Sequence, residues 1–259
     1  MLHPEIEELF SLTGQVAVVT GAGAGIGRGI AVRLAQAGAE VTVADRDPQG
    51  AEQVAAELRR LGGRALALTA DVSDEAAVGQ MVERTVAEFG RLDILINNAG
   101  IYPARPLAKL TVEEWDQVMA VNLRGVFLCT RTAAAAMRAG NRGGRVVNMS
   151  SIESFRPSLV GVSAYSTSKG GLNLFTQSAA LELARDGITV NAVCPGAVLT
   201  EGTAAAFAAG LQKMMEARIP LKRVTTPAEV SAAVLFLASK AAGYITGTTL
   251  LVDGGYLLA

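Results

Sequence analysis

The chain has 259 residues, half of them hydrophobic and 18% charged, and its formal net charge is -1. Such a balance supports a large buried core and excludes an unfolded chain, while giving no electrostatic reason for nucleic acid or an anionic membrane as partner. One histidine, His3, and two cysteines without motif spacing, Cys129 and Cys194, leave little material for a His-based triad or a zinc site, and the thiols read as buried and reduced.

Residues 1–11 are acidic where a signal peptide is basic, and read as a loose N-terminal extension containing His3. No apolar run reaches the length of about 18 residues that spans a membrane, so a soluble, cytoplasmic protein is expected. Val16–Thr20 reads as a buried strand, followed by a helix through about Ala37. Further apolar runs at Val41–Ala44, Arg64–Thr69, Leu92–Ile96, Arg145–Asn148, Ile188–Val193 and Thr249–Val252 read as strands. Helices are expected over Gln49–Leu61 and near 74–89, 113–138, 164–185 and 227–239. Alternation of this kind implies an α/β fold with a parallel sheet covered on both faces, here as one domain over 1–259. Residues 195–226 break the rhythm and read as a substrate-covering loop with one or two short helices; a plain surface excursion is the alternative.

The first strand runs into Thr20-Gly21-Ala22-Gly23-Ala24-Gly25-Ile26-Gly27 and then a helix. Glycines there permit a tight turn and close backbone approach to a pyrophosphate, and the helix start offers free N–H groups. Asp45, just past the second strand, is placed to hold an adenosine ribose and repel a 2′-phosphate, which favours NAD over NADP. Its neighbour Arg46 could instead attract that phosphate. Asp45 could also cap the helix beginning near Pro48.

Tyr165 and Lys169 stand four apart on an expected helix, hence on one face. An ammonium so close lowers the proton affinity of a phenol, although the spacing alone arises by chance in many helices.

Taken in order, Thr20-Gly21-xxx-Gly25-Ile26-Gly27, Asp71-Val72, Asn97-Asn98-Ala99-Gly100, Asn122, Ser151, Tyr165-xxx-Lys169, the Pro195–Thr200 stretch and Val252-Asp253-Gly254-Gly255 resemble a short-chain dehydrogenase/reductase from about Leu12 to Tyr256. The resemblance implies a Rossmann-type, doubly wound sheet of seven parallel strands. It implies Asp71 and the Val72 amide at the adenine, Asn98 and Gly100 along the ribose, and Val198 and Thr200 near the nicotinamide carboxamide. The Asn97–Gly100 string could also serve as a turn tying strands together. Tyr165 becomes the general base for a secondary alcohol (acid in the reverse direction), with Lys169 lowering its proton affinity and holding the nicotinamide ribose. Ser151 would bind the substrate oxygen, with Ser150 as competitor. Asn122 would hold a water leading from Lys169 to solvent, or simply a packing hydrogen bond. Ser151 lies one residue farther from Tyr165 than the commonest family spacing, and Ser154 stands where a glycine is frequent.

Tyr102, Arg105, Glu153, Phe155 and Arg156 are candidate pocket residues, with Glu153 and Arg156 either recognising a polar substrate or forming an exposed pair. The run Ala205–Ala209 suggests a partly apolar cover over the substrate. An alcohol or ketone is the expected partner, and the family's habit suggests a homodimer or homotetramer through helices near 113–138 and 164–185. Alternatives are an NADPH-dependent ketoacyl reductase and a nucleotide-binding regulator without turnover.

Overall fold

A computed structural model describes residues 3–259, so the first two residues of the expected extension lie outside the described residues. Strands β1 (Val16–Thr20), β2 (Glu40–Asp45), β3 (Ala65–Thr69), β4 (Ile94–Asn97), β5 (Gly144–Met149), β6 (Ile188–Pro195) and β7 (Thr249–Val252) form one parallel sheet in the order β3-β2-β1-β4-β5-β6-β7. Helices α1 (Pro4–Phe10), α2 (Gly25–Gln36), α3 (Pro48–Arg60), α4 (Glu75–Phe89), α5 (Val112–Met119), α6 (Gly125–Gly140), α7 (Ser163–Leu183), α8 (Ala204–Ala206), α9 (Gln212–Arg218) and α10 (Pro227–Ala238) complete it.

Every residue of β1 is buried, as burial of both sheet faces requires. The pleat sends successive side chains to opposite sides. Ala17 and Val19 pack with Ile30 and Leu34 of α2 and Val234 of α10, whereas Val18 packs with Met81 of α4 and Leu128 of α6. Strand order reverses between β1 and β4, which opens a crevice at their carboxyl ends.

The structure differs from the sequence reading in two helices. Residues 4–10 are helical rather than loose: Pro4 opens α1, Glu5 and Glu7 favour its first turn, and Lys240 reaches Glu8 at 2.8 Å. The single helix expected over 113–138 is two, joined by a π-turn at Ala120–Arg124. Asn122 sits in that turn, fully buried, and its amide binds the backbone of Ile101 rather than leaving the helix regular.

Residues 195–226 carry α8, a π-turn at Phe207–Leu211 and α9, with Gly210 kinked at φ 106°. Phe207, Met215, Ile219 and Val224 bury themselves against Ile152 and Tyr256. The phenyl ring of the Ala205–Ala209 run is thus committed to holding this segment down.

Candidate active site

The turn after β1 is built around glycines that nothing else could replace. Gly21 (φ 62°) and Gly25 (φ 56°) have left-handed backbones, and a Cβ on Gly21 would lie 2.7 Å from the Ala99 Cα. A Cβ on Gly27 would overlap the Gly21 carbonyl and the Asn98 amide. Asn98 explains the closeness: its Nδ2 donates to the carbonyls of Thr20 (2.9 Å) and Gly21 (2.8 Å), tying the turn after β4 to the turn after β1. The start of α2 therefore faces the crevice with its backbone unobstructed, a fit for a pyrophosphate. Ile26 packs back into the core beneath it.

Asp45 turns toward this cradle. Its Oδ2 accepts from the Gly23 amide at 2.8 Å and its Oδ1 from the Asp47 amide at 3.0 Å. Asp47, not Asp45, caps α3 through the Gln49 amide. Gly21, Asp45, Arg46, Asp71, Val72 and Gly100 all line one open cleft at the carboxyl edge of the sheet. Within it Asp71 accepts from the Ser73 amide (2.8 Å) and hydroxyl (2.6 Å), and these bonds hold its carboxyl below the usual range, with Arg46 adding to the effect. Thr200 reaches over from the 195–226 segment: its methyl would lie 3.7 Å from a Cβ on Gly25. Val198 is buried behind it, bridged to Thr225.

Ser151, Tyr165 and Lys169 converge where β5 ends. Ser151 caps a short 3₁₀ turn, its Oγ accepting from the Glu153 amide at 3.2 Å. Its hydroxyl faces the Tyr165 phenol and favours its ionised form. Ser150 points elsewhere, its Oγ donating to the Lys169 carbonyl at 3.4 Å, which separates the two serines. Lys169 is 4% exposed, and its ammonium donates to the Met149 carbonyl at 2.7 Å and lies 5.6 Å from the centre of the Tyr165 ring. Gly100 separates it from Asn122; a Cβ there would be 3.4 Å from Asn122 Oδ1 and 3.8 Å from Lys169 Nζ. Asn122 also donates to the Ser168 hydroxyl at 3.2 Å.

Burial dominates the electrostatics of this pair. Burial pushes the Tyr165 phenol well above its ordinary value, opposed only by the Ser151 hydroxyl, while Tyr102, Glu153 and Cys194 push the same way as burial. Burial also lowers the Lys169 ammonium to about 8. Without bound cofactor, desolvation drives each group toward its neutral form.

At the rim, Tyr102 stacks edge-on against Tyr165 with ring centres 4.5 Å apart, and burial together with Glu153 raises its phenol to about 12. Glu153 and Arg156 form no pair. Glu153 is 6% exposed and accepts from the Ser158 amide, the Ser158 hydroxyl and the Ser166 hydroxyl. Arg156 donates to the Ala259 carbonyl oxygen at 2.7 Å. Arg105 pairs with Glu114 of α5 at 2.8 Å, away from Tyr165's partners, and Phe155 is exposed. Ser158, Ser166, Ser168 and the Met149 carbonyl escaped the sequence reading, because serines and backbone oxygens carry no spacing signal.

A family model described as Enoyl-(Acyl carrier protein) reductase matches residues 21–257. The chain is 44% identical over 257 residues to a Short chain dehydrogenase/reductase, astE, from Aspergillus oryzae, covering 97% of this chain and 98% of that protein. It is also 44% identical over 243 residues to a cis-4-hydroxycyclohexanecarboxylate dehydrogenase from Sinomonas cyclohexanicum, covering 93% and 96%. A crystal structure from Beutenbergia cavernae, holding NADP at low occupancy, superposes with a TM-score of 0.91 at 40% identity over 97% of this chain and all of the other. With its seven-stranded sheet and its Ser–Tyr–Lys convergence, the chain belongs to the short-chain dehydrogenase/reductase family, oxidoreductases that move a hydride between a nicotinamide cofactor and an alcohol or ketone.

Proposed function

We propose that the protein oxidises a small or medium secondary alcohol with NAD in preference to NADP, using Tyr165 as general base. The observation that carries this reading is the meeting of Ser151, Tyr165 and Lys169 beside the glycine cradle, with Asp45 turned into the same cleft. A bound nicotinamide supplies the hydride acceptor. The phenolate oxygen of Tyr165 takes the substrate hydroxyl proton while Ser151 donates a hydrogen bond to the same substrate oxygen. Lys169 binds the nicotinamide ribose and, when protonated, stabilises the phenolate. Asn122 holds a water through which Lys169 exchanges protons with solvent.

In this reading Gly21, Gly25, Ile26 and Gly27 bind the pyrophosphate, Asp45 and Arg46 flank the adenosine ribose, and Asp71 and Val72 receive the adenine. Asn98 and Gly100 lie along the ribose, and Val198 and Thr200 meet the carboxamide. Asp45 supports NAD because a carboxylate there repels a 2′-phosphate. A second reading, an NADPH-dependent ketoacyl reductase, is favoured by Arg46 beside the cleft, by the description of the matching family model and by the NADP in the Beutenbergia structure. The whole chain acts as one domain, with residues 195–226 covering the substrate. We place it in the cytoplasm as a homodimer or homotetramer.

The test is a screen of polyols, hydroxy acids, cyclic alcohols and acyl alcohols, with NAD and NADP side by side. NAD reduction with one class of alcohol is the expected result. A strong preference for NADPH and a ketone would move the assignment to the second reading. Absence of hydride transfer with every compound would leave only nucleotide binding.

A further inference from the structure

Among the described residues, Glu153 is the charged side chain acting on Tyr165 that the reaction just described does not use. It follows Ser151 by two residues, and its own amide donates to the Ser151 hydroxyl at 3.2 Å. Its carboxylate reaches the other way. The Ser158 amide donates to both oxygens, at 3.2 and 3.0 Å, and the Ser166 hydroxyl to one of them at 3.3 Å; the Ser158 hydroxyl completes the set. Ser166 is the residue after Tyr165, on the first turn of α7. One side chain thus joins the Ser151 loop to the turn that carries the phenol.

The donors are all uncharged, and no guanidinium or ammonium is among these partners. A carboxylate suits such a pocket, since it accepts at both oxygens and the Ser158 amide can only donate. Buried to this degree, its negative charge is poorly screened by solvent. We propose that Glu153 is a positioning residue that sets the pH range in which the protein oxidises its alcohol, by fixing a negative charge between the Ser151 loop and the first turn of α7. The groups facing Tyr165 from each packed element are Tyr102 after β4, Ser151 and Glu153 after β5, Lys169 on α7 and Cys194 on β6. Of these, Glu153 is the carboxylate, and it works against loss of the phenol proton. Its effect is to delay ionisation of Tyr165, so that oxidation rises at higher pH than it would beside a neutral side chain.

This inference rests on Tyr165 as the base, and Tyr165→Phe tests that separately through turnover alone. The experiment is the pH profile of kcat/KM for alcohol oxidation in the full chain, with Glu153→Gln, Glu153→Asp and Ser166→Ala. Glu153→Gln keeps the shape and removes the charge. Its rising limb should move down by about one pH unit, giving roughly tenfold higher kcat/KM below the wild-type midpoint. Glu153→Asp should restore the wild-type midpoint, and Ser166→Ala should lower the plateau and leave the midpoint where it is. Should the Gln variant fail to fold, Glu153→Ser, with room for a water on Ser158, is the second neutral variant and carries the same expectation. An unmoved midpoint in a folded neutral variant, with a plateau lowered as in Ser166→Ala, overturns the proposal and leaves Glu153 a structural brace. A dead Tyr165→Phe alongside that result would keep the base assignment intact.

Discussion

Tyr165 and Lys169 are both driven toward neutrality by burial, and this has a measurable signature at Lys169. The ordinary value of 10.5 falls to about 8 in the folded protein. Below pH 8 the folded and unfolded chains both carry the charge, and the cost of burying it is present in full. Between about pH 8 and 10.5 the folded chain sheds the proton first, so this side chain's contribution to stability rises with pH. Subtracting the melting curve of cofactor-free Lys169→Met from that of wild type should therefore give a difference that increases across this window. A flat difference would mean that the ammonium is better solvated than the residue's 4% exposure implies. The two serines give a second residue-level prediction. Ser151→Ala should lower kcat by about 10²-fold or more, whereas Ser150→Ala, which loses only a bond to a backbone carbonyl, should cost far less. The pairing of Tyr165 with Lys169 was legible from their spacing. The direction of the phenol's shift was not, because it depends on how deeply the pair sits, and sequence carries no depth.

At the scale of elements, the glycine turn can be tested by adding single methyl groups. A Cβ on Gly27 meets backbone and the Asn98 amide, neither of which can yield, so Gly27→Ala should cost about 1–3 kcal/mol and weaken cofactor binding. Gly79, inside α4 with open space around it, is the control: Gly79→Ala should stabilise by about 0.5–1 kcal/mol. Denaturant titration of both variants checks the pair. The seven strands were readable because each is a largely apolar run, buried on both faces in the inner strands and only in part at the edges β3 and β7. The π-turn at Asn122 was hidden, since its cause is a pair of hydrogen bonds to Ile101, a residue 21 positions away. The helix at Pro4–Phe10 was missed for the opposite reason: it buries nothing, so no apolar stripe announced it, and only its opening proline and acidic first turn signalled a helix.

Across the whole molecule, the glycine turn, Asp45 and Ser151 come from the ends of β1, β2 and β5, Tyr165 and Lys169 from α7, and the parallel sheet brings them to one edge. Motif order alone groups these residues in the sequence, and the fold gathers them in space. The rim was less legible: Arg105, Arg156 and Glu153 all carry charge, yet their partners are Glu114, Ala259 and two serines, choices made by loop geometry. If Asp45 favours NAD as proposed, Asp45→Ala should raise kcat/KM with NADP relative to NAD, read as the ratio with the two cofactors. The central claim is that Tyr165 moves the substrate proton. Its most direct measurement is the rate of alcohol oxidation at saturating cofactor for wild type and Tyr165→Phe, with cofactor affinity measured on both. The predicted result is a loss of about 10²–10⁴-fold with affinity nearly unchanged, whereas retention of more than about a tenth of the rate would contradict it.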